Sequence, residues 1–169
     1  DNLYCDAIES KKRKSTIVIL NIILNTLLKW FAPILSFTTE EIFKLLFKDK
    51  KSIHLEKFPE FPDKFKNEKL SNKWNELIKI RNICNISIEE KRASKEIGSS
   101  LEADLKIQLN QELRGLTKNI DFSELCITSI ANVEYKNDIE TSAITTKAKG
   151  FKCPVCWKIN EVSCPRHPE

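Results

Sequence analysis

A long apolar run over residues 17–35 constrains the fold of this chain more than any other sequence feature. Its leucines and isoleucines recur at helical spacing, and additional isoleucines widen the apolar face. Asn21, Asn25 and Lys29 interrupt the run, and placing them in hydrocarbon would cost several kcal/mol, which disfavours a membrane span. We therefore predict a buried helix that other helices cover, and we expect it to end or kink at Pro33.

Two further helical patterns follow this run. Thr38 and Glu41 have the spacing of a capping box and precede a short apolar stretch. A longer helical pattern spans residues 68–95, and Gly98 is placed to terminate it. Together the three patterns predict an antiparallel helical bundle over residues 1–96.

The periodicity changes after the third pattern. Leu105, Ile107 and Leu109 alternate with polar residues, which indicates a strand. The segments that follow predict a short helix and two more strands, over residues 111–118, 125–133 and 142–147. Residues 97–148 are therefore predicted to form a small α+β unit.

The C-terminal residues 149–169 contain three of the six cysteines. Cysteine and histidine follow the spacing C-x2-C-x7-C-x2-H, with the candidate ligands Cys153, Cys156, Cys164 and His167. Two such knuckles supply four nitrogen and sulfur ligands, as a tetrahedral structural Zn²⁺ site requires. One zinc ion would stabilise a segment that is too short for a core of its own. A closed set of four ligands leaves no position for a catalytic water, so the predicted role is structural.

Other roles for these cysteines agree less well with the sequence. A redox C-x-x-C pair is expected near a βαβ pattern, and disulfides require an oxidising compartment. The first sixteen residues are polar and charged, unlike a signal peptide. Cys5, Cys84 and Cys126 are isolated and are predicted to pack as small apolar groups. The predicted fold class is mainly α: an antiparallel helical bundle, then a small α+β unit, then a zinc knuckle over residues 149–169.

Charge and glycine content narrow the possible functions. The net charge is only +4, but residues 1–52 hold nine basic and six acidic groups, and residues 149–169 hold four and two. Two basic regions could bind a polyanion at two places, or could be ordinary solvated surface. The three glycines are isolated from one another, which excludes a glycine-rich phosphate-binding loop.

Two groups of residues are candidates for contact with nucleic acid. Trp157 follows the second predicted ligand and precedes Lys158, so its ring could stack on an unpaired base. It could equally pack the knuckle against the rest of the protein. The basic run over residues 11–14 could contact phosphates or form a solvated helix start. Its like charges oppose the helix dipole.

Five stretches occur in a fixed order along the chain. They are the sequence NLYCDA at residues 2–7, APILSFT followed by EEI at 32–42, SIHL through FP at 52–59, KEIGSSLEA at 95–103, and the Cys-x2-Cys-Trp knuckle. In this order they resemble the C-terminal part of the bacterial isoleucine–tRNA ligases, which are class I aminoacyl-tRNA synthetases. The resemblance covers nearly the whole chain. Members of that family commonly end in a second Cys-x2-Cys after a longer loop, whereas this chain has His167.

The resemblance implies a helical anticodon-binding domain, a small α/β junction unit and a zinc-bearing peptide that contacts the tRNA anticodon. The full enzyme joins isoleucine to its tRNA using ATP, through an aminoacyl-adenylate. The family's HIGH and KMSKS motifs are missing from this sequence. ATP is therefore expected to bind only in the full enzyme, and this segment alone is not expected to be catalytic. A first residue other than Met also suggests a partial chain.

The resemblance also implies roles and partners. Trp157 would stack on a base, and the residues expected to bind tRNA around it or at the first long helix are Lys152, Lys158, Arg166, Lys11, Lys12, Arg13 and Lys14. The expected partners are the isoleucine tRNA and the catalytic domain of the same enzyme, in the cytoplasm and without a membrane. Two other hypotheses are a free-standing zinc-finger nucleic-acid-binding protein and a helical protein-interaction domain with a zinc knob.

Overall fold

Three helices form the first part of the chain in this computed structural model, which describes residues 2–167. They are α1 (Asn2–Cys5), α2 (Lys11–Phe31) and α3 (Ser36–Leu46). Ser10 caps α2, because its side-chain oxygen accepts a hydrogen bond from the Arg13 backbone N–H at 3.2 Å. The predicted end of this helix before Pro33 is confirmed.

The predicted capping box at Thr38 is wrong. Helix α3 already begins at Ser36, so Thr38 lies within its first turn. The N-terminal flanking residue is Leu35, which has no side-chain oxygen to cap the helix. The backbone N–H of Leu35 is still bonded to the carbonyl of Phe31 at 2.7 Å, so the turn after α2 leads directly into α3.

The first unit, Asp1–Lys66, has a small core. Leu28 and Ala32 pack with Phe43 of α3 and Ile53 of a following 3-10 turn. Among the described side chains of α2, only those of Thr26 and Leu28 are buried, so the predicted buried helix is wrong for most of its length. The short elements that contact it, α1, α3 and the 3-10 turn, cannot cover a helix of 21 residues. By length and composition α2 could cross a membrane, a test that core helices of soluble proteins also pass.

Glu40 joins α3 to the segment that follows it. Its Oε2 accepts hydrogen bonds from the Ser52 hydroxyl at 2.8 Å and from the Ile53 backbone N–H at 2.9 Å. Its Oε1 lies 3.0 Å from the ammonium of Lys44. The bonds from Ile53, Lys44 and Ser52 together lower the pKa of Glu40 to about 2. Two of the five stretches that carry the family resemblance therefore meet at this carboxylate.

We expect Glu40→Gln to destabilise the first unit in a pH-dependent way. The pKa of Glu40 is about 2 in the folded state, compared with the ordinary 4.5 expected when the chain unfolds. Its contribution to stability is thus complete above pH 4.5 and is lost as the pH falls toward 2. The thermal midpoints of the wild type and of Glu40→Gln should differ at neutral pH. They should converge as the pH falls from 4.5 to about 2.

Glu41→Gln is the matched control for this prediction. Glu41 is the next residue of α3 and is exposed. We expect its replacement to leave the thermal midpoint of the first unit nearly unchanged at every pH. An equal effect of the two substitutions would contradict the anchoring role of Glu40.

Helix α4 (Glu68–Ala93) opens the second unit, Asn67–Glu169. Asn67 caps it, because its side-chain oxygen accepts from the Leu70 backbone N–H at 2.9 Å. The predicted helix is confirmed, but its end is not at Gly98. Lys95 adopts a left-handed conformation with φ of 61° and stops the helix earlier.

A three-stranded sheet follows α4. It consists of β1 (Ala103–Asn110), β2 (Ile130–Lys136) and β3 (Ser142–Lys147), in the order β2-β1-β3. Strand β1 is parallel to β2 and antiparallel to β3. Two short helices, α5 (Arg114–Thr117) and α6 (Phe122–Leu125), lie between β1 and β2 along the chain.

The strand that was predicted over residues 125–133 begins later than expected. Leu125 completes α6, whose N-terminus is capped by the Asp121 carboxylate through the backbone N–H groups of Ser123 and Glu124. The chain therefore reaches an extended conformation only at Ile130. The predicted strands at Leu105 and over 142–147 are confirmed.

The prediction of a mainly α fold with an antiparallel bundle is wrong. Helical residues make up 49% of the chain, and 15% are in strands of two sheets. The buried residues of α4 form one stripe that packs against the buried residues of β1: Leu77, Ile80, Cys84 and Ile88 of the helix, and Ala103, Leu105, Ile107 and Leu109 of the strand. Helical periodicity predicted the helix, but the side expected to be apolar, with Leu70, Trp74 and Ile78, is largely exposed. Periodicity identified neither the buried stripe nor the element that covers it.

Candidate functional site

The C-terminal segment forms a small hairpin that carries the candidate metal ligands. Strand β4 (Phe151–Lys152) pairs with the antiparallel strand β5 (Ile159–Asn160). Gly150 precedes the hairpin with φ of 124°, and a Cβ at this residue would lie 2.2 Å from the carbonyl oxygen of Asn160. Only glycine fits this close approach of two backbone segments. We call residues 150–167 the finger.

Backbone hydrogen bonds shape the two knuckles of the finger. In the first knuckle, the N–H of Cys153 donates to the Lys158 carbonyl and the N–H of Trp157 to the Cys153 carbonyl, both at 2.9 Å. In the second, the N–H of His167 donates to the Cys164 carbonyl at 3.1 Å. Each knuckle is therefore a tight turn that directs its two ligand side chains to the same side.

The four predicted ligands come together in one cluster. One ligand atom from each of Cys153, Cys156, Cys164 and His167 lies within 4.8 Å of the other three. The Nδ1 atom of His167 is 3.5 Å from the sulfurs of both Cys153 and Cys164. The sulfurs of Cys156 and Cys164 are 3.7 Å apart, and the three cysteines of the cluster are not in disulfides. This group could hold a metal ion.

The environment of the cluster lowers the pKa of two of its three cysteines. Hydrogen bonds to the Cys153 sulfur, first from the Cys156 backbone N–H, lower its pKa to about 6. Burial opposes ionisation of Cys164, but hydrogen bonds from Arg166 and His167 lower its pKa on balance. Burial raises the pKa of Cys156 to about 11. Because metal ions bind thiolates, the cluster is partly prepared for a cation.

Two hydrogen bonds attach the finger to the α/β unit. The ammonium of Lys158 donates to the Ser123 hydroxyl at 3.1 Å. The backbone N–H of Ile159 donates to the Ser129 hydroxyl at 2.6 Å, and that hydroxyl in turn donates to the Leu101 carbonyl. The sequence analysis missed Ser123 and Ser129. No motif marks them, because their role depends on contact with residues about 30 positions away along the chain.

Trp157 projects from the first knuckle into solvent. Its side chain is 59% exposed, which argues against packing of the knuckle as its main role. Its backbone is left-handed, with φ of 63°, a conformation that is unfavourable for a bulky residue. The Lys152 ammonium lies 5.4 Å from the centroid of its ring, in a cation–π contact. Lys152 and Lys158, the predicted tRNA-binding residues beside Trp157, differ in exposure. Lys152 is exposed, whereas Lys158 is partly buried against Ser123.

The N-terminal basic run lies in the other unit, at the start of α2. Arg13 donates to the backbone carbonyl of Asp6 at 3.3 Å, and Lys14 pairs with Glu9. Lys11 and Lys12 are exposed on the first turn of the helix. The structure therefore gives Arg13 and Lys14 local contacts of their own.

Comparison with known proteins identifies the family to which the chain belongs. A family model described as the anticodon-binding domain of tRNA ligase matches residues 1–109. The chain belongs to this family. The isoleucine–tRNA ligase of Pelagibacter ubique is 64% identical over 169 residues, which is all of this chain. That of Agrobacterium fabrum is 35% identical over an alignment that also covers the whole chain.

These relatives are much longer than this anticodon-binding chain. It spans 19% of the length of the Pelagibacter and Agrobacterium enzymes. The isoleucine–tRNA ligase of Mesorhizobium japonicum is 41% identical over 130 residues, or 76% of this chain and 13% of that protein. The resemblance seen in the sequence is confirmed, and the chain corresponds to the anticodon-binding segment of such enzymes. The family assignment disfavours a free-standing zinc-finger module.

Proposed function

We propose that this anticodon-binding segment binds the isoleucine tRNA for an enzyme that joins isoleucine to that tRNA using ATP. The match of residues 1–109 to the anticodon-binding family carries the proposal. The similarity of the whole chain to part of the isoleucine–tRNA ligases supports isoleucine as the amino acid. ATP binding and the ligation chemistry belong to the catalytic domain of the same enzyme. That domain is the protein partner of this segment, and the whole enzyme works in the cytoplasm.

The finger holds one structural zinc ion in this proposal. Ideal tetrahedral zinc has bonds of about 2.3 Å to sulfur and about 2.0–2.1 Å to nitrogen, which gives edges of about 3.8 Å between sulfurs and about 3.5 Å between sulfur and nitrogen. One sulfur–sulfur separation in the cluster is 3.7 Å and two sulfur–nitrogen separations are 3.5 Å, and all four ligand atoms lie within 4.8 Å of one another. The donor set of three thiols and one imidazole fits zinc, and it leaves no open position for catalysis. The ion would crosslink the two knuckles.

Basic side chains around this centre contribute to tRNA binding. Zinc with three thiolates carries a net charge of −1, which Lys152, Lys158 and Arg166 would offset. Lys152 is exposed and available to a phosphate, whereas Lys158 holds the finger to Ser123. In the first unit, Lys11, Lys12 and Lys14 of the basic run are exposed, and Arg13 is partly buried beside them. Such contacts would make the affinity salt-dependent.

Trp157 supplies the stacking contact in this proposal. A tryptophan with an exposed ring and a left-handed backbone combines solvent exposure with local strain, and strain of this kind is characteristic of functional positions. Lys152 keeps a positive charge beside the ring, where a nucleotide also brings its phosphate. An unpaired anticodon base can therefore stack on the ring while its phosphate meets the ammonium.

We expect Trp157→Gly to weaken tRNA binding without unfolding the finger. Glycine tolerates the left-handed φ of 63°, so the backbone strain is relieved while the ring is removed. Loss of one base–aromatic stack costs about 1–3 kcal/mol, or about 5- to 150-fold in affinity. Filter binding or fluorescence anisotropy with the isoleucine tRNA would measure the change.

Two comparisons make this experiment decisive. Trp157→Phe retains an aromatic ring and should lose much less affinity than Trp157→Gly. Trp74→Phe, at a half-exposed position of α4, is the control for loss of an indole elsewhere and should bind as the wild type does. Unchanged binding by Trp157→Gly would refute the stacking role. Absence of binding by the wild type would refute the proposed function.

A further inference from the structure

A second apolar surface of the finger is separate from Trp157. A cleft of about 500 Å³ lies between the first knuckle and the segment that follows β5. Its apolar wall includes Phe151, Val155 and Val162, which are 79%, 52% and 76% exposed. Its inner wall is formed by the candidate ligands Cys153, Cys164 and His167, whereas Trp157 is not part of its lining. We call this the finger cleft.

The exposure of these side chains requires an explanation. Large apolar residues in a segment this short would ordinarily contribute to its core, yet the finger buries only the ligand cysteines Cys153 and Cys156 together with Ile159. Exposed apolar surface concentrated around a cleft is typical of a binding site. Phe151 is the most exposed of the three, and it is an aromatic ring on a backbone fixed by hairpin pairing.

The surrounding charge identifies the kind of occupant. Residues 149–169 contain four basic and two acidic residues, so the finger attracts polyanions. Lys152 lines the cleft together with Phe151, and its ammonium also contacts the ring of Trp157. A positive charge is therefore close to both aromatic residues. Glu161 lines the cleft as well and would repel a phosphate there. The cleft therefore suits the uncharged base of a nucleotide, with the phosphate outside near Lys152.

We propose that the finger cleft binds one unpaired tRNA base, stacked on the ring of Phe151. This inference rests on the proposed function, because it requires tRNA as the ligand. Trp157 and Phe151 are then two separate stacking positions, and Lys152 meets a phosphate between them. An aromatic ring accepts any base by its π-face, while Glu161 can accept a hydrogen bond from an exocyclic amino group.

The test uses the full chain with an RNA hairpin that has unpaired loop bases. Phe151→Ala removes the ring, and Phe151→Leu removes it but keeps apolar bulk, so the finger stays folded. Both should weaken hairpin binding by roughly 5-fold or more, whereas Phe151→Tyr should bind nearly as the wild type does. Ile144→Ala is the control, because Ile144 is an exposed apolar residue of β3 outside the finger cleft.

A fluorescent base analogue separates the two stacking positions. In hairpins with 2-aminopurine at successive loop positions, protein binding should change the fluorescence of the base that stacks on Phe151, and Phe151→Leu should abolish that change. Trp157→Gly should abolish the change at a different loop position. A fully paired RNA duplex of equal length should bind the wild type and Phe151→Leu alike, because it offers no unpaired base.

The outcomes distinguish failure of this inference from failure of the proposed function. If the wild type binds the hairpin, Trp157→Gly weakens it and both Phe151 variants stay within two-fold of the wild type, the cleft does not bind a base. Equal weakening of hairpin and duplex by Phe151→Leu would also overturn the inference. If the wild type binds no RNA, the proposed function fails first, and this inference fails with it.

Discussion

Replacement of Cys156 by serine is expected to remove the metal from the finger. Cys156 is buried within the cluster, and its sulfur is 3.7 Å from that of Cys164. If four ligands share the roughly 10–16 kcal/mol typical of structural zinc, loss of one removes about 3 kcal/mol or more. The zinc affinity should then fall by about 100-fold or more, measured by competition with a chromophoric chelator.

The structural consequence should be local. The core built on Leu77, Leu105 and Ile107 does not include the finger, so the rest of the second unit should keep its stability. Hydrogen exchange should become fast over residues 150–167 and should stay slow in β1. Loss of protection in β1 as well would show that the finger is needed for folding of the sheet.

Substitutions at His167 test the ligand set further. His167→Ala should release zinc as Cys156→Ser does, whereas His167→Cys provides a fourth thiolate and should retain the ion. Cys5→Ser is the control, because Cys5 lies in the first unit and outside the cluster. Zinc content of about one per chain in both Cys156→Ser and His167→Ala would contradict the four-ligand site.

Gly150→Ala should disrupt the finger from its base. The new Cβ would lie 2.2 Å from the Asn160 oxygen and 2.5 Å from its carbonyl carbon, and backbone atoms cannot give way as a flexible side chain can. The φ of 124° adds strain for any residue with a Cβ. The expected cost is about 3 kcal/mol, at the upper end for a single substitution. Because finger folding and zinc binding are coupled, zinc affinity should fall about 100-fold.

Gly115→Ala provides the matched control. Gly115 lies in α5, and a Cβ there would meet nothing within 4 Å. Alanine is a better helix former than glycine, so this variant should be more stable by about 0.5–1 kcal/mol. Chemical unfolding and zinc titration of both variants would measure the contrast. Wild-type zinc affinity in Gly150→Ala would show that the hairpin can rearrange around the added methyl group.

The two predictions together separate metal ligation from the backbone that positions it. Cys156→Ser leaves the β4–β5 pairing possible, because Cys156 is not part of either strand. Gly150→Ala leaves all four ligands in the sequence. Both should displace Trp157 and Phe151 and thereby weaken tRNA binding. Weakening by one variant alone would show which of the two features orients the aromatic side chains.

Much of the candidate site could be predicted from local sequence. Ligand spacing identified Cys153, Cys156, Cys164 and His167, because two-residue gaps bring side chains together whatever the remaining fold. The contacts of Lys158 with Ser123 and of Ile159 with Ser129 were not predictable. They depend on the path of the chain through β2, which brings residues from distant segments together.

The sequence by itself determined the local elements. Alternating apolar residues specified β1, helical spacing specified α4, and Pro33 ended α2. Only the tertiary structure decided that α4 packs on the sheet, that most of α2 stays exposed and that Gly150 meets Asn160. Periodicity depends on the backbone geometry of one segment and marks its apolar face. The element that covers this face depends on chain connectivity and on shape, which no single segment contains.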